Sequence, residues 1–95
     1  MQDEDFEWDD AKAASNLEKH KVSFDAARHV FADVFALEQI DERYVYGEPR
    51  YTIIGMVENR LLMVVYTEKE GRIRLISARA PEPFERRRYH EHNTR

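Results

Sequence analysis

The residues best suited to chemistry lie in one segment, Arg72-Ile73-Arg74-Leu75-Ile76-Ser77-Ala78-Arg79. Its alternation of guanidinium and aliphatic side chains predicts a β-strand, in which every second residue points to the same face. On a regular strand, Arg72 and Arg74 share one face and Arg79 lies on the other. Arginine presents a rigid planar fork of donors and stays charged at any working pH, so this strand is suited to holding phosphate.

Charge is distributed unevenly along the chain. The 95 residues carry a net charge of −4, the first ten include six acids, and residues 71–95 hold seven arginines against three glutamates. The acidic total disfavours a protein that only grips nucleic acid non-specifically, because that affinity comes from neutralised phosphates. A localised basic surface is still compatible with this negative net charge. We expect such a surface where the arginine strand adjoins Arg86, Arg87 and Arg88.

Composition excludes several classes of protein. Cysteine is absent, so there is no disulfide framework and no thiolate metal site. No P-loop or GxGxxG motif occurs. The sequence also lacks a dense cluster of metal ligands, which argues against a magnesium- or zinc-dependent nuclease. We therefore expect no cofactor and no metal. The chain has no apolar run of membrane-spanning length and no signal-peptide pattern, so we expect one cytoplasmic domain over residues 1–95.

The pattern of elements predicts an α+β fold. A short strand at 6–8 precedes a helix capped by Asp9 or Asp10 that runs to about residue 21, and Ser23 caps a second helix. Strands are expected at 35–40, 51–57, 61–66 and 72–79, with a polar connection from Asp41 to Pro49. A charged helix at 84–92 follows. We expect the helices on one face of a largely antiparallel sheet, with the last strands forming a β-meander.

Many residues in order along the chain carry a resemblance to a known family. They are Phe6-Glu7-Trp8-Asp9, Lys12, Asn16, Lys19-His20, Val22, Phe24, Ala27, Val30-Phe31, Asp33, Gly47-Glu48, Arg50, Gly55, Leu62, Val64-Val65, Thr67, Arg72, Arg74, Ile76-Ser77-Ala78-Arg79 and Tyr89. The chain resembles the BrnT toxins. The resemblance implies a RelE-like, metal-independent endoribonuclease that inhibits translation. It also implies a BrnA-type antitoxin that blocks the toxin, forms an oligomeric complex with it and carries the DNA-binding part.

Metal-free RNA cleavage needs a base for the 2′-hydroxyl, an acid for the leaving 5′-oxygen and fixed cations for the phosphate. Arg79 is the first candidate for the cation, and the alternative is a surface ion pair with Glu82 or Glu85. Arg74 is a similar candidate for contacting RNA. Arg72 also belongs to the predicted RNA-binding set, although a solvated position at the sheet edge is the preferred interpretation.

Proton transfer has candidates at two places in the sequence. Lys19 and His20 close the first helix, where a protonated His is favoured by the helix dipole and is suited to act as an acid. The alternative for His20 is packing along the stripe of Ala13 and Leu17. Glu48 and Arg50 flank Pro49 and are candidates for a base and a phosphate clamp, or else for a local ion pair that supports a turn.

The remaining predicted RNA contacts are aromatic or helical. Trp8 is a candidate stacking platform, or else it seals the sheet against the first helix. Tyr89 is expected either to reach the arginine strand or simply to pack helix on sheet. Arg86 and Arg87 belong to a cationic helix face that also suits an acidic antitoxin segment. The alternative function is a module that binds nucleic acid or a partner without cutting RNA.

Overall fold

The computed structural model describes residues 1–41 and 47–94 and confirms the α+β class. In chain order the elements are β1 (Phe6–Glu7), α1 (Asp10–His20), α2 (Phe24–Ala27), a 3-10 helix (Arg28–Ala32), β2 (Leu37–Asp41), β3 (Arg50–Val57), β4 (Arg60–Lys69), β5 (Arg72–Arg79) and α3 (Pro83–His92). The predicted connection from Asp41 to Pro49 lies largely outside the described residues. Within those residues, no helix is both long and apolar enough to cross a membrane.

The five strands form one mixed sheet in the order β1-β5-β4-β3-β2. Strands β2 to β5 pair antiparallel, and only β1 runs parallel to its neighbour β5. Positive φ angles at Glu58 and Asn59, and at Glu70 and Gly71, make the two tight turns of the β3–β4 and β4–β5 hairpins. Because β1 pairs with β5, the acidic N-terminal segment lies beside the arginine strand.

One face of the sheet is covered by the first helices. The Asp9 carboxylate caps α1 by accepting from the Lys12 N–H at 3.0 Å, and the Ser23 hydroxyl caps α2. The 3-10 helix approaches β3 so closely that a Cβ on Gly55 would lie 3.0 Å from Val30, so a side chain there would force the backbones apart. This layer buries the larger core, which includes Trp8, Phe24 and Val30.

Helix α3 lies on the opposite face, so the prediction of helices on one face is wrong. Ile53 belongs to the core beneath α1 and α2, whereas its neighbour Ile54 packs with Leu61, Met63 and Tyr89 in a second, smaller cluster. Successive strand residues point to opposite faces, so these two clusters lie on the two sides of the sheet. Helix α3 contributes only Tyr89 to the second cluster.

A β-bulge in β5 also overturns the predicted distribution of arginines. Val65 pairs with Ser77 and the next residue, Tyr66, pairs with Leu75, so Ile76 is the extra residue of the ladder. Strict alternation fails at Ile76 because an unpaired residue shifts the period by one. Cross-strand partners share a face, and Arg79 pairs with Met63 while Arg74 pairs with Thr67. Both arginines, with Arg72, therefore point to the face that carries α3.

Candidate nucleic-acid interface

The α3 face presents residues in rows that cross the sheet. Leu37, Ile54, Met63 and Arg79 are successive register partners from β2 to β5. The next row, towards the end of β2 and the start of β3, consists of Gln39, Thr52, Val65 and Ser77. All four are half-buried. Polar side chains thus begin where the apolar contact beneath α3 ends.

Arg79 ends β5 beside the first turn of α3. Its two terminal nitrogens donate to the two carboxylate oxygens of Glu85, at 2.8 and 3.1 Å, and Nη1 also donates to the Ala80 carbonyl. The Glu85 carboxylate accepts in addition from the Glu82 N–H at 2.7 Å, as in a capping box. The ion pair expected as an alternative role for Arg79 is therefore present, and it joins β5 to α3.

Arg74 lies at the other end of the same strand. Its guanidinium donates to the Glu7 carboxylate at 2.6 Å, and the Glu7 side chain is only 11% exposed. Arg72 Nε donates to the Asp3 carbonyl at 2.7 Å. Arg50 begins β3, where Asp41 is its register partner. At 3.3 Å per residue, about 16 Å of strand separates this Arg74 end from the Arg79 end.

A groove of about 670 Å³ lies between the sheet and α3 and extends from Met63, the register partner of Arg79, towards Asp41. Its apolar floor includes Ile54 and Met63, which are 4% and 3% exposed. Helix α3 lines it with Phe84, Glu85 and Arg88, and the Phe84 ring is 52% exposed. Residues i and i+4 share one side of a helix, so Phe84 and Arg88 present a ring and a cation together.

The Asp33 carboxylate forms a second polar link between α3 and the rest of the molecule. Asp33 accepts from the Tyr89 hydroxyl at 2.7 Å and from the N–H groups of Met56 and Phe35. Burial alone would raise the pKa of Asp33, but these three donors outweigh it and hold the pKa below its usual value of 3.8. Burial, followed by the bond to Asp33, raises the pKa of Tyr89 to about 12.

Lys19 and His20 lie in the other layer, at the end of α1. The buried Asn16 side chain donates to the carbonyls of Val22 and Ala78 and accepts from the Ala78 N–H. These bonds hold α1 against β5, one residue before Arg79. Half-buried His20 is one turn further along α1, and therefore lies at the same end of the sheet as Arg79. Lys19 is exposed there.

The other predicted residues divide between core and surface. Trp8 is 9% exposed and packs edge-on against Phe24, with ring centroids 5.8 Å apart, so the packing alternative describes its position. Tyr89 is buried and bonds to Asp33 rather than to the arginine strand. Glu48 is exposed in the turn before β3, and Arg86 and Arg87 are exposed on α3.

The sequence predicts only part of the role of three residues at this interface. Phe84 was predicted only as part of a helix, although an apolar residue directly after Pro83 in a charged segment was a signal. Glu85 was considered only as an ion-pair partner. Asp33 belongs to the residues that carry the family resemblance, but its contacts could not be predicted, because its partners Met56 and Tyr89 are distant in sequence. Within residues 1–41 and 47–94, no three acidic or His side chains are grouped as metal ligands.

Comparison with known families decides the class of the protein. Residues 8–85 match the family described as ribonuclease toxin, BrnT, of type II toxin–antitoxin systems. The chain belongs to the BrnT family. Among curated proteins, a search finds no match. As a BrnT toxin, the chain is a ribonuclease toxin of a type II system, and such a system includes an antitoxin partner. The match spans both ends of the arginine strand and stops at Glu85, before the exposed arginines of α3.

Proposed function

We propose that this BrnT-family chain is a RelE-like, metal-independent endoribonuclease that inhibits translation and binds RNA across its α3 face. One observation carries the proposal: the bulge at Ile76 turns Arg79 to the same face as Arg72 and Arg74. Arginines at both ends of one strand give a single-stranded RNA two fixed points of phosphate contact. Arg50, at the start of β3, adds a cation to the Arg74 end.

The proposed reaction uses the RNA's own 2′-hydroxyl. A base removes its proton, the 2′-oxygen forms a bond to phosphorus, and the bond from phosphorus to the 5′-oxygen breaks. An acid protonates that oxygen, so the products are a 2′,3′-cyclic phosphate and a 5′-hydroxyl. Arg79 stabilises the additional negative charge on the phosphate in the transition state.

His20 and Glu48 are the proposed proton carriers. His20 lies at the same end of the sheet as Arg79, one turn beyond the Asn16 bonds to Ala78, which supports a role as acid there. Glu48 lies near Arg50, at the opposite end of the face. Because His20 lies in the α1 layer and Glu48 at the far end of the α3 face, the two cannot both contact one phosphate in this arrangement, so we propose them as alternative proton carriers. Lys19 is proposed to contact phosphate from the exposed side of α1.

Cleavage in the presence of a chelator tests this function. The purified protein is expected to cut single-stranded RNA in EDTA and to leave 2′,3′-cyclic phosphate or 3′-phosphate ends, because the nucleophile is internal. End-group analysis by mass spectrometry makes the measurement. Loss of cutting on chelation, or 3′-hydroxyl products, would show that the mechanism is wrong. Tight RNA binding without cutting would instead favour the non-catalytic module.

A BrnA-type antitoxin is the proposed partner. Covering a cationic face with acidic and apolar residues is an economical way to block it, and the exposed Arg86, Arg87 and Arg88 extend that face. We place the antitoxin on the arginines of β5 and α3. Any contact with DNA is proposed to go through the antitoxin alone.

A further inference from the structure

The groove beside α3 has chemistry that the arginine strand does not explain. A phosphate site needs cations and donors, but this groove has an apolar floor and an exposed aromatic ring. We propose that it holds one unstacked nucleobase of single-stranded RNA, with the ring of Phe84 as the stacking platform. This rests on the proposed function, because it adds a base subsite to the same RNA-binding face.

Phe84 is not needed to hold α3 in place. Tyr89 is the helix residue that is buried, and it anchors α3 through Ile54, Met63 and Asp33. The Phe84 ring nevertheless stays 52% exposed at the rim of the groove, where an apolar surface in water is unfavourable. A base has two π-faces, so stacking on this ring removes apolar surface from water without demanding a particular sequence.

The other side of the groove offers hydrogen bonds for the edge of a base. Gln39 and Thr52 are register partners on β2 and β3, are half-buried and line the groove. The Gln39 amide has an NH2 group that donates and an oxygen that accepts, and the Thr52 hydroxyl can do both. Together they can form hydrogen bonds with base edges that carry donors as well as acceptors. The volume of about 670 Å³ lies within the roughly 300–1,000 Å³ typical of ligand sites.

The charges in the groove orient the nucleotide. Arg88 lies one turn beyond Phe84 on α3, so the phosphate of a nucleotide whose base stacks on Phe84 falls near its guanidinium. Two carboxylates in the groove have the opposite effect on a phosphate. Glu85 is held by Arg79, and Asp41 lies at the β2 side of the groove, where a carboxylate repels phosphate but accepts from amino groups of bases. This mixture of ring, amide and arginine suits RNA better than a peptide.

The test measures binding without cleavage. The full chain is titrated with a short 2′-O-methyl oligoribonucleotide, whose blocked 2′-oxygen cannot attack, and with an abasic oligomer of the same length. Phe84→Ala is expected to bind the base-containing probe roughly 5- to 150-fold more weakly, the range of base–aromatic stacking, and to leave abasic binding unchanged. Phe35→Ala is the matched control, because Phe35 is 60% exposed and lies outside the groove.

A second variant reports stacking directly. Phe84→Trp is expected to show quenched tryptophan emission with the base-containing probe but not with the abasic one. The wild type, which has only buried Trp8, supplies the background. Equal binding of both probes by Phe84→Ala and wild type would overturn the subsite. So would a Phe84→Trp emission that responds to the antitoxin but not to the base-containing probe, since the groove would then dock protein and not a base.

Failure of this subsite is separable from failure of the proposed function. Cleavage of RNA by wild type and Phe84→Ala at equal rates, with equal binding of the probes, would refute the subsite and leave the ribonuclease intact. Phe84-dependent binding of the blocked probe, without cleavage of ordinary RNA, would refute the reaction and leave the subsite intact.

Discussion

Arg79 uses its guanidinium fork on a carboxylate, and the same fork fits a phosphate. Bidentate pairing with Glu85 joins β5 to α3, with the Arg79 and Glu85 side chains 29% and 12% exposed. A phosphate that binds Arg79 must share or displace this partner, because both groups need the same donors. Arg79 therefore either stabilises the position of α3 or contacts phosphate with a guanidinium that Glu85 orients beforehand.

Replacing each partner separately distinguishes these roles. Arg79→Ala is expected to lower the rate of RNA cleavage about a hundred- to thousandfold, the cost of one transition-state donor, and Arg79→Lys is expected to rescue it poorly. Glu85→Gln keeps the helix cap and the Arg79 charge, so it is expected to retain most of the activity. Cleavage rates and melting temperatures of all three variants are measured. Equal loss of activity and stability in Arg79→Ala and Glu85→Gln would assign Arg79 a structural role only.

At the scale of the element, α3 is held by few contacts. Its side chains from Pro83 to His92 are exposed apart from buried Tyr89 and half-buried Glu85, so Tyr89 supplies its apolar contact, and the Tyr89–Asp33 bond and the Glu85–Arg79 ion pair supply its polar ones. Asn93 adds two bonds from the end of the helix, to the carbonyls of Phe35 and Tyr89. The position of the groove wall therefore depends mainly on Tyr89 and on the Arg79–Glu85 pair.

Removing the Tyr89 hydroxyl tests this anchor. Tyr89→Phe is expected to lower the free energy of unfolding by about 1.5–3 kcal/mol at neutral pH, since the lost bond goes to a carboxylate. The wild type should also lose stability as pH rises between about 10 and 12, because unfolded tyrosine releases its proton near 10 whereas Tyr89 holds it to about 12. Urea denaturation across that range measures both effects.

The alkaline loss should be shallower in Tyr89→Phe but not absent. Burial, with a 2.6 Å hydrogen bond to Glu38, also raises the pKa of Tyr66, so Tyr66 contributes in the same direction. Tyr66→Phe is therefore the matched control, on the other face of the sheet. Identical slopes in the wild type and Tyr89→Phe would show that the Tyr89 bond does not contribute to stability.

At the scale of the whole molecule, the chain's own acids meet its own arginines. Glu7, from the acidic N-terminus, pairs with Arg74, and Glu85 pairs with Arg79, while Arg72 donates to the backbone carbonyl of Asp3. The exposed arginines of α3 add charge to the same face, outside the matched family region. The net charge of −4 therefore hides a polarised molecule, as the uneven charge along the sequence predicts.

This polarity predicts how the antitoxin associates. The double variant Arg86→Glu, Arg87→Glu is expected to slow association with the antitoxin by about tenfold at low salt, because long-range attraction is lost. High salt should slow the wild type in the same way. Stopped-flow mixing gives the rates, and Lys12→Glu, exposed on α1, is the control. Rates insensitive to salt and to both reversals would place the partner on another face.

The sequence by itself determined the elements and most local contacts. Hydrophobic periodicity and turn residues located the strands and helices, Asp9 and Ser23 marked the caps, and the Arg79–Glu85 pair was foreseen because its partners lie six residues apart. These features depend on neighbours along the chain, so their physical causes can be read locally. The family resemblance over nearly the whole chain was likewise visible in the residues.

Only the tertiary structure decided which side each chemical group faces. The bulge at Ile76 depends on how β5 pairs with β4, and one extra residue is enough to turn Arg79 to the face of Arg72 and Arg74. The side taken by α3 depends on Tyr89 meeting Asp33, 56 residues away. A strand's period of two and a helix's apolar stripe predict faces only relative to the element itself. Register and packing with distant segments orient those faces in the molecule.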